Sequence, residues 1–324
     1  MTIWLCQKVF FFLHKNIEVL NGRPYKEGVG ILQETMNLSD GRKLGFKEYG
    51  DINGIPVLLL HGTPGSRIWF LENDICAQEL GIRLIATDRP GFGLSDKKLG
   101  RSLLDYSEDI KELTTYLGLS SFSVFGVSGG GAYAAALAHQ LPEQIKLCVL
   151  VSTATPFKNG KPPKGMSKEN RMAFYFSKHL PWLLKTVNKS QKKLLDTNPE
   201  KFKNVLQKGG KHLAAWDNRM LLKEEVAVAG VAHSKEAYRQ GVDEAVREAA
   251  LLTKDWGFSF ADIRCPVHIW HGVKDTLSPV EEVKKLESAF STVTSWYIKD
   301  AGHFLTEDDD TWRRILTEIK KTVY

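Results

Sequence analysis

"VFGVSGGGAYAAA" (residues 124–136) joins a β-branched and aromatic run to a row of alanines through Gly126, Ser128, Gly129, Gly130 and Gly131. Its first part reads as the end of a buried strand and its last part as a helix, so the chain turns sharply between them. Such a turn strains the backbone of its central residue and lifts that side chain clear of the sheet. Bulky neighbours would collide there, and glycine removes the collision. Gly126-Val127-Ser128-Gly129-Gly130 meets the G-x-S-x-G pattern in the strand, turn and helix setting that gives the pattern its meaning. The plainer alternative is a close contact of small residues between helix and sheet, and the rest of the chain must decide.

Outward from this turn, extended apolar runs alternate with helical segments, as in a mostly parallel sheet covered on both faces. Residues 31–50 read as two strands joined at Asp40-Gly41, a hairpin turn. Further strands are expected at 56–62, 82–91, 122–129, 145–153, 265–272 and 294–300, eight in all. Tyr106, Ile110, Leu113 and Leu117 fall on one helical face, and a last helix is expected from about 310 to 323, its acidic start suited to the helix dipole. Between about 155 and 261 no strand is evident. That stretch is too long to be a bare loop, and it reads as a helical insertion standing on the sheet. The expected organisation is an N-terminal extension over 1–27, read as helical, a core over 28–154, the insertion over 155–261, and the rest of the core over 262–324.

A serine hydroxyl needs a base to take its proton and an acid to orient that base. Both types stand at strand ends downstream: Asp275 in "HGVKD" and His303 in "DAGHF". Taken alone, His303 would more readily be a structural histidine; in the order Ser128, Asp275, His303 it reads as the general base. An oxyanion would need backbone N–H donors. Gly129 supplies one, and Thr63 in "HGTPGS" (61–66) the other, since Pro64 has no N–H. His61 reads as shaping that turn. "TDRPGFGLSD" (87–96) reads as a loop lining the site, with Asp88 as a minor alternative for the acid.

The chain has 324 residues, 43% hydrophobic and 25% charged, with a net charge of +6, the balance of a soluble globular protein with a large core. Thirteen lysines and Arg171 lie between 156 and 211 against only Glu169, Asp196 and Glu200, which reads as a solvated basic face. No zinc-finger spacing or RNP-like motif supports a nucleic-acid partner. The four cysteines are too dispersed for a disulfide framework or a zinc site. "MTIWLCQKVFFFLHK" (1–15) lacks the charge order and cleavage site of a signal peptide and is too short to span a bilayer. It is expected to pack on the body or a second subunit, with membrane contact the weaker option, and the protein is expected in the cytoplasm.

The pieces "HGTPGS", "DRPGFGLSD", "GVSGGG", "HGVKD" and "AGHF" together resemble the α/β-hydrolase fold family, in its order, from about residue 31 to the C-terminus. The resemblance implies an eight-stranded, mostly parallel sheet flanked by helices, a helical cap inserted after the sixth strand, and a site between cap and sheet. It is similar to the bacterial ester and amide hydrolases with helical caps. Serine at 128 separates it from relatives that use aspartate there. The turn is HGTPG and the next strand ends in TDRPG, which departs from the HGGPG and DQRG patterns of the proline iminopeptidases and makes a peptidase the weaker expectation.

The expected function is therefore a serine hydrolase acting on an ester, thioester or amide of a small acyl substrate, with no metal or organic cofactor. Ser128 would attack, His303 would act as base and then acid, Asp275 would orient it, and Thr63 and Gly129 would hold the oxyanion. Phe157, Phe174, Tyr175, Phe176, Trp182 and Trp216 are candidates for an apolar acyl pocket or for the insertion's own core, and the lysines for attracting an anionic leaving group. Acyl transfer, peptide cleavage or carbon-carbon hydrolysis would use the same three residues. A ligand-binding sensor that keeps the triad without turnover is the reading from another class.

Overall fold

The apolar runs build one eight-stranded sheet. In the computed structural model, residues 34–70 and 74–323 are described; the extension over 1–27, with its expected helix and membrane contact, lies outside them. The strands are β1 (Thr35–Asn37), β2 (Lys43–Gly50), β3 (Ile55–Leu60), β4 (Ile82–Thr87), β5 (Phe122–Val127), β6 (Ile145–Val151), β7 (Val267–Gly272) and β8 (Val293–Ile298). Their order is β1-β2-β4-β3-β5-β6-β7-β8. β1 and β2 pair antiparallel, as do β2 and β4, and every other pairing is parallel.

Several strands end earlier than the apolar runs suggest, because the last residues of those runs already turn out of the sheet. β4 stops before Asp88, where the chain enters a Pro- and Gly-containing turn, and β6 stops before Ser152, which takes φ 45°. β1 keeps only three residues before the Asp40-Gly41 turn.

Alternate side chains feed two cores. Leu58, Leu60, Val124, Cys148 and Leu150 face one layer, with α2 (Tyr106–Tyr116), α3 (Gly129–Gln140) and α10 (Val280–Glu287). Val57, Leu59, Phe125, Val127, Val149 and Val151 face the other, with α1 (Asp74–Leu80) and α11 (Asp309–Val323). α11 shows the cause: Trp312, Ile315, Leu316 and Ile319 recur at helical spacing and are all buried, and full burial of each such side chain is worth about 1.5–3 kcal/mol.

Between β6 and β7 the chain forms α4 (Lys168–His179), α5 (Pro181–Thr197), α6 (Pro199–Gln207), α7 (Ala215–Leu222), α8 (Glu224–Ala237) and α9 (Asp243–Leu252). Local signals start several of them. Ser167 caps α4 by accepting the Asn170 N–H, Asn198 caps α6 by accepting the Lys201 N–H, and proline occupies the first turn of α5 and α6. α5, α6, α8 and α9 share a core around Leu195, Phe202, Leu206, Ala237 and Ala245, into which Phe92 of the turn after β4 also packs. Among the described residues no helix is long and apolar enough to cross a membrane.

Candidate active site

The strand order reverses at β3, which has β4 on one side and β5 on the other. A crevice opens beyond the C-terminal ends of parallel strands at such a reversal. The turn holding Thr63 follows β3 there, and Ser128 follows β5. Ser128 adopts φ 53°, ψ −121°, in the left-handed half of backbone space that costs a non-glycine residue on the order of 1–3 kcal/mol. Three backbone hydrogen bonds hold it: Ser128 N–H donates to Val151 O, and its carbonyl accepts from Gly131 N–H and Ala154 N–H, at 2.9–3.0 Å. A Cβ on Gly126 would strike Gly130 O, and a Cβ on Gly130 would strike Leu60 O. Glycine is required at both positions because backbone crosses backbone.

Asp275, just after β7, and His303, just after β8, meet at 2.8 Å between Oδ2 and Nδ1. A carboxylate only accepts, so Nδ1 carries the proton and Nε2 is left as the basic nitrogen. The other carboxylate oxygen, Oδ1, accepts the N–H groups of Leu277 and Ser278, each at 2.8 Å. Burial alone would raise the Asp275 carboxyl, but the charge and hydrogen bond of His303 hold it below its ordinary value. Burial likewise pulls the His303 imidazole down, while Asp275 and then Asp217 more than offset this and leave it above its ordinary value.

One pocket has Ser128, His303, Thr63 and Gly129 in its wall. Asp275 stands behind the histidine. Asp88 does not join them: its carboxylate accepts Arg67 and Leu94 N–H groups and the Arg67 guanidinium. His61 is fully buried at its turn, Nδ1 lying 2.8 Å from Gly62 O and Nε2 accepting the Arg89 N–H. Of the six aromatics singled out, only Phe157 and Phe174 line the pocket. Tyr175 and Trp182 are exposed, and Trp216 donates to Phe304 O instead.

Two acidic residues of the insertion escaped the sequence reading. Glu248 on α9 is fully buried, accepting from both ends of Arg89, from Arg101, from Tyr133 OH and from Thr63 Oγ at 2.6 Å. Arg89 also donates to His61 O and Gly62 O, so one ion cluster grips the turn that carries Thr63. Asp217 on α7 is fully buried and accepts the Phe304 N–H at 2.9 Å. No local signal marks either one, since an acid on an amphipathic helix ordinarily faces water. The signal that could have led to Glu248 is the Arg of "DRPG", a charge that needs an acidic partner once buried. Among the described residues there is no cluster suited to a metal ion.

A family model of the α/β hydrolase fold matches residues 55–310. The chain is 34% identical over 139 residues to a non-heme chloroperoxidase of Streptomyces lividans, covering 42% of this chain and 50% of that protein. It is 34% identical over 153 residues to lipase 3 of Moraxella sp. (strain TA144), covering 45% of this chain and 47% of the lipase. The chain thus spans about half the length of these curated relatives. Among solved structures, an esterase from Exiguobacterium antarcticum superposes with a TM-score of 0.65 at 19% identity, covering 90% of this chain and 100% of that one, which is a likeness of fold.

Proposed function

The chain belongs to the α/β hydrolase fold family, and from that premise we propose that it is a serine hydrolase cleaving neutral carboxylic esters of small molecules. The observation that carries this reading is the 2.8 Å contact of His303 Nδ1 with Asp275 Oδ2, behind a pocket that also has the strained Ser128 in its wall. The names of the relatives agree, a lipase and an esterase among them.

In the proposed reaction Ser128 Oγ attacks the ester carbonyl carbon while its proton passes to His303 Nε2. The carbonyl oxygen becomes an oxyanion between the N–H groups of Thr63 and Gly129, each such donor worth about 3 kcal/mol in the transition state. His303 returns the proton to the departing alcohol, leaving an acyl group on Ser128. A water, deprotonated by the same histidine, then attacks the acyl carbon, releasing the acid and restoring the serine.

The substrate class follows from the pocket wall. Phe157, Ala173, Phe174, Leu184, Ala245 and Leu252 make it apolar, and among the described lining residues there is no lysine, arginine or carboxylate. An uncharged wall favours a neutral acyl group, and the lysines of the insertion are outside this lining. A panel of p-nitrophenyl esters tests the reading. Turnover is expected for neutral apolar acyl groups and is expected to vanish in Ser128→Ala and His303→Ala. Undiminished turnover in the serine variant would refute the assignment.

A further inference from the structure

The loop that carries His303 is held from two directions. Asp275 holds the imidazole ring from the sheet. From the insertion, Asp217 accepts the Phe304 N–H and the neighbouring Trp216 indole N–H donates to Phe304 O, both at 2.9 Å. A Cβ on Gly302 would strike the Asp217 carboxyl. The glycine of "DAGHF" is thus the space into which this acid fits. A neutral acceptor would satisfy the Phe304 N–H equally well, and a fully buried carboxylate is costly to keep.

We propose that Asp217 is a positioning residue for His303: from α7 it fixes the backbone of the loop bearing the base and presents a second carboxylate to that base beside Asp275. This rests on His303 acting as the general base. Helix α7 of the insertion then forms part of the catalytic machinery, and the base is fully assembled only with α7 seated on its loop.

The groups facing His303 are Asp275 and His271 from β7 and the turn after it, Asp217 from α7, and Glu307 from the segment before α11. Lys223, at the end of α7, donates to Glu307 O at 3.3 Å. Burial pushes Asp217 up to about 6, against the pull of the Phe304 N–H and the His303 charge. Burial also pushes Glu307 up to about 7. Above its own titration Asp217 is negative and favours the imidazolium. Removing that charge lets the neutral, active imidazole persist to lower pH and weakens the support for the imidazolium formed during the reaction.

The test compares wild type, Asp217→Asn and Asp217→Ala, following both short-ester hydrolysis and the rate of Ser128 labelling by a fluorophosphonate across the acid limb and the plateau. Asp217→Asn keeps the size and one acceptor oxygen while removing the charge. Its acid limb should move to lower pH, with kcat on the plateau down roughly tenfold and KM unchanged. Asp217→Ala, which also loses the acceptor, should lower kcat by roughly a hundredfold. An Asn variant with an unmoved acid limb and a wild-type plateau, beside a labelled wild type, overturns the proposal alone, even if the Ala variant melts early. A wild type that takes no label on Ser128 overturns the hydrolase reading and this proposal with it.

Discussion

Ser128 shows how a single residue can be expensive and still be kept. Its φ of 53° is uphill, and three backbone hydrogen bonds together with glycine at 126 and 130 hold it there. The cost of a side chain at such a crossing is steric, so Gly130→Ala should destabilise the fold by several kcal/mol or abolish soluble expression, read by thermal melting. His303 has a different vulnerability. In the proposed reaction it acts as a base only when neutral, and Asp275 and Asp217 raise it above its ordinary value. Activity is therefore expected to fall as pH drops through that raised value, while Asp275, held low, stays ionised throughout. An acid limb lying below the ordinary histidine range would contradict this. Asp275→Asn should lower kcat by about 10⁴, because the Leu277 and Ser278 N–H groups hold its one remaining acceptor oxygen and the amide NH2 then faces Nδ1 and favours the wrong tautomer.

At the scale of elements, Ser128, Asp275 and His303 stood out as candidates because each follows an extended apolar run that the structure forms as a strand. The serine is flanked by glycines, and the acid and base follow in order after β7 and β8. The parts that escaped, Glu248 and Asp217, lie on helices whose sequences look like ordinary amphipathic surface. Their burial is decided by what packs over them, Arg89 and Arg101 in one case and the Phe304 loop in the other, and no local pattern encodes that. The aromatics stayed open between pocket and core for the same reason: periodicity can assign a residue to a helix without saying whether it faces the site, the insertion's core or water. Glu248 carries a clear prediction. Breaking a buried ion cluster strands its partner charges, so Glu248→Ala should cost about 3–5 kcal/mol, seen as an earlier urea midpoint. A midpoint within error of wild type would mean that the cluster contributes nothing.

Across the whole molecule, the ties between insertion and sheet are buried and charged. Arg89 pairs with Glu248, Arg101 with Glu244, and Arg67 with Glu236, so α8 and α9 are each fastened to turns of the core. Arg89, Arg101, Glu244 and Glu248 are nearly or fully buried. An insertion anchored in this way should not melt separately, and calorimetry should show one unfolding transition; two resolved transitions would mean the ties are weaker than their burial implies. The eight strands were legible from their apolar runs, and the helical character of the stretch between β6 and β7 from its lack of strands and its length. The reversal of strand order at β3 was not, since pairing order depends on contacts far apart along the chain. That reversal is what brings the Thr63 turn beside Ser128.

The central claim is that Ser128 is an activated nucleophile, and intact-mass measurement after fluorophosphonate treatment, with peptide mapping, tests it most directly. A single adduct on Ser128 that disappears in Ser128→Ala and His303→Ala is the predicted result. No adduct on well-folded protein, or an adduct on another residue that persists in both variants, would contradict it.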